Sequence, residues 1–363
     1  DRLHGGWVVA KHPPAQTLEP LEILPGGHPL PDEGSLRAGG RVLAALNDLG
    51  ERDLLVCLIS GGGSALLTAP HPPLSLSDLQ ALTEALLTVG ATITEINVLR
   101  RHLDRVKGGG LARAAFPART VSLILSDVVG DPLEAIASGP TAPDPSTRDE
   151  ALAVLERYRL RERLPASVLA TLEGAPETPK PEDPLFDRVQ NLLIGSNALA
   201  ARAARTQAQE EGFRASLLTT RLQGEASVVG GVLAAILRQM AESGEPLPRP
   251  ACLIAGGETT VTVRGDGLGG RNQELALAAV SVLDGLRDVM LITLATDGED
   301  GPTDAAGAVV TGETRARAAA LGLDADDHLR RNDAYHFFAA LDDLLKPGPT
   351  GTNVNDLSFL FTF

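Results

Sequence analysis

Short apolar runs alternate along this chain with segments in which apolar residues recur every three or four positions. The run Leu54–Ile59 is apolar throughout, a pattern typical of a strand that is buried on both faces of a parallel sheet. Further runs of strand length lie at 120–125, 191–194, 215–220, 253–255 and 289–294. Because helical spacing separates successive runs, the sequence predicts an α/β fold with parallel sheets.

One of the helical segments carries many polar residues. The spacing of apolar side chains predicts a helix over 94–107, with a buried stripe formed by Ile96, Leu99, Leu103 and Val106. The opposite side carries Asn97, Arg100, Arg101, Asp104 and Lys107. A polar helix face is commonly a solvated surface. This one ends in one of only four lysines of the chain, beside the glycine triplet 108–110, so a functional role is an equal alternative.

Two breaks in the pattern indicate the domain organisation. The segment 174–187 holds four prolines among charged residues, and a shorter proline-rich break follows at 246–250. The longer segment has the composition of a linker. We therefore predict an N-terminal domain at 1–178 and a C-terminal α/β domain at 188–363.

Composition and charge exclude several classes of protein. A hydrophobic content of 43% is typical of a globular chain, and the formal net charge of −15 at pH 7 argues against a general nucleic-acid or anionic-membrane binder. No apolar stretch approaches the ~20 residues of a membrane span. Cys57 and Cys252 each lie within an apolar run, so we expect buried, reduced thiols and a cytoplasmic protein.

The first long apolar run ends in a glycine-rich turn. Residues 60–64, Ser-Gly-Gly-Gly-Ser, follow Ile59, and a helical stretch begins at Ala65. Consecutive glycines let the backbone turn sharply and approach a ligand, and a helix N-terminus presents free N–H groups to an anion. The turn is therefore a candidate phosphate-binding loop, and the alternative is a tight surface loop.

Charged residues follow other predicted strands. Asp127 and Asp297 each come directly after an apolar run, where an open parallel sheet binds ligands and where a carboxylate can orient magnesium. Arg271 stands at the end of a glycine-rich loop and the start of a helix, a position from which it can neutralise a phosphoryl group or a carboxylate. Phosphoryl transfer requires phosphates held by metal and by cations, so these residues together favour a nucleotide-using enzyme.

One signal points to a different enzyme. Gly265, Gly267 and Gly270 satisfy the GxGxxG pattern between a strand and a helix, which is the outline of a dinucleotide site and would suit a dehydrogenase. The residues before this loop alternate between polar and apolar instead of forming a fully buried strand, and Arg271 occupies the helix start. We therefore treat this match as weak.

Motifs along nearly the whole chain, in the expected order, carry a specific resemblance. They read SGGGSALL, NVLRRHL with KGGGLA, LSDVVGDPLEAIASGPT, GGETTV, GRNQE, ATDGEDGPTDAAGA and GPTGTNVNDL. This combination resembles the glycerate 2-kinase family, whose C-terminal region is called the MOFRL domain, here about 250–357. The resemblance implies ATP- and magnesium-dependent phosphorylation of D-glycerate to 2-phosphoglycerate. It also implies a Rossmann-like N-terminal domain and a smaller α/β C-terminal domain with the active site in the cleft between them.

Our hypothesis for the site combines the resemblance with the strand ends. The residues expected to bind ATP are Ser60, Gly61, Gly62, Gly63, Ser64, Gly256, Gly257 and Glu258. Glycerate is expected at Asn97 and Arg100, catalysis at Arg271, Lys107 and Asp127, and magnesium at Asp127 and Asp297.

The family pattern includes a strand, a helix and a Gly-Lys-Ala segment before the part that this sequence matches. No residue here matches its lysine, which the family is thought to use in catalysis. Either this sequence omits this segment or the protein lacks a main catalytic group, and in the second case a ligand-binding protein without turnover is an alternative to the kinase. An NAD(P)H-dependent hydroxypyruvate reductase is the rival enzyme.

Overall fold

The computed structural model describes residues 3–13 and 19–363, and the chain divides into two compact units. The first unit is built from 1–125 and 131–194, and the remaining residues form the second. Both units combine helices with sheets that contain parallel strand pairs, which confirms the predicted α/β class. Within the described ranges, no helix is long and apolar enough to cross a membrane.

The first unit contains two small sheets. Its helices and strands are β1 (Gly6–Ala10), β2 (Leu21–Pro25), α1 (Glu33–Leu46), β3 (Leu54–Ile59), α2 (Gly63–Leu66), α3 (Leu76–Thr88), α4 (Ile93–Leu103), α5 (Gly110–Ala115), β4 (Arg119–Leu125), α6 (Arg148–Arg157), α7 (Ala166–Gly174) and β5 (Val189–Gly195). β1 pairs with β2 in parallel. The second sheet has the order β3-β4-β5, and β3 is parallel to β4.

The second unit is organised around one six-stranded mixed sheet. Its elements are α8 (Asn197–Glu210), β6 (Arg214–Glu225), α9 (Ala226–Ser243), β7 (Ala251–Thr260), α10 (Arg271–Leu283), β8 (Val289–Ala295), β9 (Gly307–Thr311), α11 (Thr314–Ala320), α12 (Ala325–Arg330), α13 (Ala334–Leu341), β10 (Leu344–Leu345) and β11 (Asp356–Thr362). The strand order is β10-β9-β8-β11-β7-β6, with β11 antiparallel to both of its neighbours. The last strand of the chain therefore lies in the middle of this sheet.

β3 is buried on one face only, so the prediction that both faces are buried is wrong for this strand. Leu54, Val56 and Leu58 are 57%, 53% and 78% exposed, whereas Cys57 is buried. The buried face packs against a cluster that includes Leu43 of α1 and residues of α5. An apolar run shows which residues form the strand, but the number of covered faces depends on the packing of other elements.

The polar helix is shorter than predicted, and its polar side is not a solvated surface. α4 ends at Leu103 because Asp104 is extended, with φ −128° and ψ 132°, and its carboxylate accepts hydrogen bonds from the amide N–H groups of Ala69 and Val106. Asn97 is only 7% exposed and Lys107 only 4%. The apolar stripe is buried too, so this segment is enclosed on both sides.

The proline-rich segment 174–187 belongs to the first unit. The Glu177 carboxylate accepts hydrogen bonds from Lys180 Nζ and from the Arg148 amide N–H, both at 3.1 Å, and it lies 2.9 Å from His102 Nε2. Burial raises the pKa of Glu177, but these partners outweigh burial and hold it at about 2. The segment predicted as a linker is therefore fixed to α4 and α6 by buried and half-buried polar contacts.

Candidate active site

The glycine loop 60–64 follows β3 and is shaped by close contacts. Gly62 has φ +79°, a left-handed conformation that side chains disfavour. A Cβ atom at Gly62 would lie 3.0 Å from the His28 ring, and one at Gly63 would lie 2.8 Å from the Ala137 Cβ atom. The sequence uses glycine here because the backbone turns in a space too narrow for side chains.

The amide groups of this loop are available to a ligand. The N–H groups of Gly61, Gly62, Gly63 and Ser64 donate to no acceptor among the described residues. All four residues are partly accessible to solvent. A bend with several free N–H groups is suited to bind the oxygens of a phosphate.

Side chains from three segments of the first unit meet beside the loop. Ser64 Oγ lies 2.8 Å from Ser138 Oγ, which in turn donates to Asn97 Oδ1 at 3.3 Å. Ala137 and Ser138 have φ of +50° and +60°, an uncommon conformation for residues other than glycine and one that is enriched at active sites. Our sequence reasoning did not select Ser138, although the turn Ser-Gly-Pro-Thr that it begins was part of the resemblance.

The two predicted cations of the polar segment have different environments. Arg100 is partly buried and has no hydrogen-bond or ion-pair partner in the described part of the chain, and burial lowers its pKa. The Lys107 ammonium lies 2.6 Å from Asp104 Oδ2 and 3.3 Å from the carbonyl oxygen of Leu67. Arg100 is thus available to bind an anion, whereas Lys107 is engaged by its own unit.

Arg271, the first residue of α10, is held from two sides within the second unit. Its Nε and Nη2 atoms donate to the two carboxylate oxygens of Asp356 at 2.6 and 3.0 Å, and its Nη1 atom donates to Glu258 Oε1 at 2.8 Å. Burial lowers the pKa of Arg271, but the two carboxylates more than offset this, and the net shift is upward. We call Arg271, Glu258 and Asp356 the Arg271 cluster. Its guanidinium is permanently charged and fixed in direction.

Two further carboxylates interact with this cluster. Burial raises the pKa of Glu258 and of Asp356, Arg271 opposes both shifts, and the charges of Asp127 and Asp297 add to them. Asp127 follows β4 and Asp297 follows β8. Across residues 3–13 and 19–363, no three side chains of His, Cys, Asp or Glu are grouped as a metal site. The structure thus brings the predicted residues Arg271, Asp127, Asp297 and Glu258 together.

Gly256 and Gly257, which were predicted to bind the cofactor, pack against protein. A Cβ atom at Gly256 would clash with the side-chain amide of Asn197, and one at Gly257 would clash with the backbone of Leu222. The close approach that these glycines permit is therefore to neighbouring segments of the second unit. This packing explains why glycine stands at both positions, and a cofactor contact there stays a prediction.

A carboxylate of the protein itself occupies the N-terminus of α10. The Asp300 carboxylate accepts hydrogen bonds from the amide N–H groups of Asn272 at 3.1 Å and Gln273 at 2.9 Å. A Cβ atom at Gly270 would clash with this carboxylate. In a dinucleotide site the pyrophosphate would occupy this position. The glycine pattern at 265–270 is therefore explained by packing, which argues against the dehydrogenase alternative.

Comparisons with known proteins identify the family of this chain. A family model described as a domain of unknown function, DUF4147, matches residues 1–173, and the MOFRL family matches 251–356. The D-glycerate 2-kinase of Thermotoga maritima is 45% identical over 98% of this chain and 84% of that protein. The chain belongs to the glycerate 2-kinase family. The glycerate 2-kinase of Pyrococcus horikoshii is 43% identical over 97% of this chain and 80% of its own length.

The fold is shared with a solved member of the glycerate 2-kinase family. The crystal structure of the glycerate kinase of Thermotoga maritima matches with a TM-score of 0.93 and 44% identity, covering 99% of this chain and 85% of that one. This similarity confirms the resemblance inferred from the motifs and the two-unit α/β fold that it implied.

Proposed function

We propose that this protein transfers the γ-phosphoryl group of ATP to the 2-hydroxyl of D-glycerate, giving 2-phosphoglycerate. The proposal is carried by the 45% identity to a D-glycerate 2-kinase over 98% of the chain. The free amide groups of the glycine loop and the fixed guanidinium of Arg271 supply chemistry that phosphoryl transfer requires.

The glycine loop fits the phosphates of the nucleotide. Its four N–H groups lack acceptors among the described residues, and the absence of Cβ atoms at 61–63 lets phosphate oxygens approach the backbone. Ser64 adds a hydroxyl group that is positioned by Ser138. We assign ATP binding in the first unit to residues 60–64.

In this proposal the positive charge of Arg271 stabilises the phosphoryl group during its transfer. A transferring phosphoryl group spreads negative charge over its oxygens, and a cation fixed in advance stabilises that charge without reorganisation. Asp356 and Glu258 hold the guanidinium at 2.6 to 3.0 Å, so its orientation is set before the substrates bind.

The carboxylates near the Arg271 cluster fit a magnesium ion. Mg²⁺ prefers oxygen ligands and is commonly held by one or two carboxylates together with substrate phosphates, so a complete protein cage is not required. Burial raises the pKa of Glu258 and of Asp356. The charge of Asp127 raises the pKa of Glu258 further, and the charge of Asp297 does the same for Asp356. We assign the metal to Asp127 and Asp297; when bound, it would neutralise phosphate charge.

The glycerate carboxylate is assigned to the first unit. Arg100 is a partly buried cation without a partner in the described ranges, and Asn97 shares a hydrogen-bonded chain with Ser138 and Ser64. For Lys107 we propose a positioning role: its ion pair with Asp104 fixes the segment around Leu67, which follows the glycine loop by three residues.

An ADP-release assay with D-glycerate tests the role of Arg271. We expect Arg271→Ala to lower kcat/KM about 100- to 1000-fold, the usual cost of removing one electrostatic group at a transition state. Arg238→Ala, which removes another guanidinium of the second unit, is the control and should retain activity. Undiminished turnover in Arg271→Ala would reject the role. Loss of nicotinamide absorbance with hydroxypyruvate, without ADP release, would favour the reductase.

A further inference from the structure

The first unit contains a second polar cavity, apart from the glycine loop. It has a volume of about 260 Å³ and lies among the end of α1, the outer side of α5 and the segment 176–179. None of the residues 60–64, Asn97, Arg100 or Ser138 lines it, and it shares only Lys107 with the predicted site. The Lys107 ammonium is engaged by Asp104.

The lining of this cavity is rich in basic side chains, although the chain as a whole has a formal charge of −15. The basic residues are His71, Arg101, Arg105, Lys107 and Arg113, and the only acidic residue among the described residues of the lining is Asp104. We call this cavity the basic pocket. Concentration of positive charge on such an acidic chain indicates a local requirement for an anion.

Two of these cations form ion pairs within the protein, a third lies near two carboxylates, and Arg105 has no ion pair among the described residues. Arg101 Nε lies 2.8 Å from Asp144 Oδ1, and Lys107 is paired with Asp104. Arg113 donates to the backbone carbonyl oxygen of Glu177 at 2.8 Å and forms no ion pair with the described residues, but the charges of Asp183 and Glu177 act on it. Arg105 is exposed and has no side-chain partner in the described part of the chain.

His71 lies in the same cavity lining as Arg105 and Arg113. Its imidazole forms no hydrogen bond with any described residue. Burial lowers the pKa of His71, the charge of Asp104 opposes this shift, and the charges of Arg105 and Arg113 add to it. Both guanidinium groups therefore lie close enough to act on the same ring. Like charges that face one cavity repel one another unless an anion lies between them.

We propose that the basic pocket binds a small phosphate-bearing anion at a site separate from the nucleotide and glycerate subsites. Guanidinium groups bind phosphate oxygens through paired, charge-assisted hydrogen bonds, and Arg105 and Arg113 each have free donors. The size of the cavity admits inorganic phosphate or a phosphorylated three-carbon acid, which share this chemistry.

Calorimetric titration of the protein with inorganic phosphate, at constant ionic strength and with saturating D-glycerate and a non-hydrolysable ATP analogue, tests this site. We expect one phosphate to bind, with a Kd about tenfold higher in Arg105→Ala. Arg163→Ala removes another exposed arginine of the first unit and should leave the Kd unchanged. Arg105→Lys keeps the charge but loses the planar fork, so its Kd should be intermediate. A second titration with 2-phosphoglycerate distinguishes the two sources: tighter binding than phosphate would assign an organic phosphate.

Two results would overturn the proposal. One is a wild-type protein that binds no phosphate under these conditions, and the other is an Arg105→Ala variant that binds phosphate as tightly as the wild type. Because Arg105 has no assigned part in the kinase reaction, kcat in the absence of phosphate should be unchanged in Arg105→Ala. The titration tests the phosphate site and the kinase assay tests the proposed function, so a negative result in one does not decide the other.

Discussion

At the scale of single residues, the partners of the charged groups decide their roles. The sequence shows that Arg271 begins a helix after glycines, and this predicts a functional cation. It does not predict Asp356 as its principal partner, because that contact exists only where β11 lies between β7 and β8. Ser138 was missed for a similar reason, since its contact with Ser64 joins residues 74 positions apart.

The burial of Lys107 leads to a prediction about stability. Lys107→Met leaves the carboxylate of Asp104 buried without a counter-ion, and breaking a buried pair in this way costs about 3–5 kcal/mol. Lys346→Met breaks an exposed pair with Asp304, for which we expect a much smaller loss because water screens the two charges. The free energy of unfolding in urea measures both. Equal losses for the two variants would show that the Lys107 pair is not the stabilising feature described.

At the scale of elements, the glycine loop permits a matched comparison. Gly62 and Gly90 have φ of +79° and +71°, and only Gly62 faces another side chain, that of His28. Alanine at either position should cost about 1–2 kcal/mol of stability because of the left-handed backbone. Only Gly62→Ala should raise the KM for ATP, since it places a methyl group in the loop. If Gly62→Ala and Gly90→Ala had the same KM for ATP, the proposal that the nucleotide binds at this loop would be contradicted.

The start of α4 is expected to stabilise the fold in a pH-dependent way. The Glu95 carboxylate accepts a hydrogen bond from the Thr92 amide N–H, which with further hydrogen bonds holds its pKa at about 2. A depressed pKa gives stability that is present above the ordinary value near 4.5 and is lost as the pH falls towards 2.

We therefore expect Glu95→Gln to lose about 1 kcal/mol at pH 7, because a negative charge at a helix N-terminus is removed. The difference from the wild type should shrink as the pH falls below about 4.5. Glu84→Gln, on the exposed side of α3, should show no such trend. Urea unfolding at pH 7 and pH 3 measures these differences, and a gap that persists unchanged at pH 3 would contradict the assignment.

The pattern of apolar residues predicted which helices and strands form better than it predicted the residues at which they begin and end. The runs 120–125 and 289–294 correspond to β4 and β8 within a residue. The helix predicted over 94–107 ended at Leu103, because Asp104 turns the chain by binding Ala69, 35 residues away. A local pattern cannot contain such a long-range contact. For the same reason it does not show which face of β3 is covered.

At the scale of the whole molecule, the order of motifs carried more information than any motif alone. The GxGxxG match, taken by itself, indicated a dehydrogenase. The structure explains its glycines by close packing, of Gly265 and Gly267 against residues 331–333 and of Gly270 against Asp300. The ordered set of motifs identified the family, which 45% identity over 98% of the chain confirms. The acidic net charge is compatible with Arg100 and the basic pocket of the first unit, because small anions require only local cations.

The most direct test of the account is the chemical identity of the product. The purified protein is incubated with ATP, Mg²⁺ and D-glycerate, and the phosphorus-31 and proton spectra of the mixture are recorded. The account predicts a phosphate ester coupled to the proton on carbon 2, formed in equal amount to ADP, and its loss in Arg271→Ala. An ester on carbon 3, or ADP formed without any ester, would contradict it.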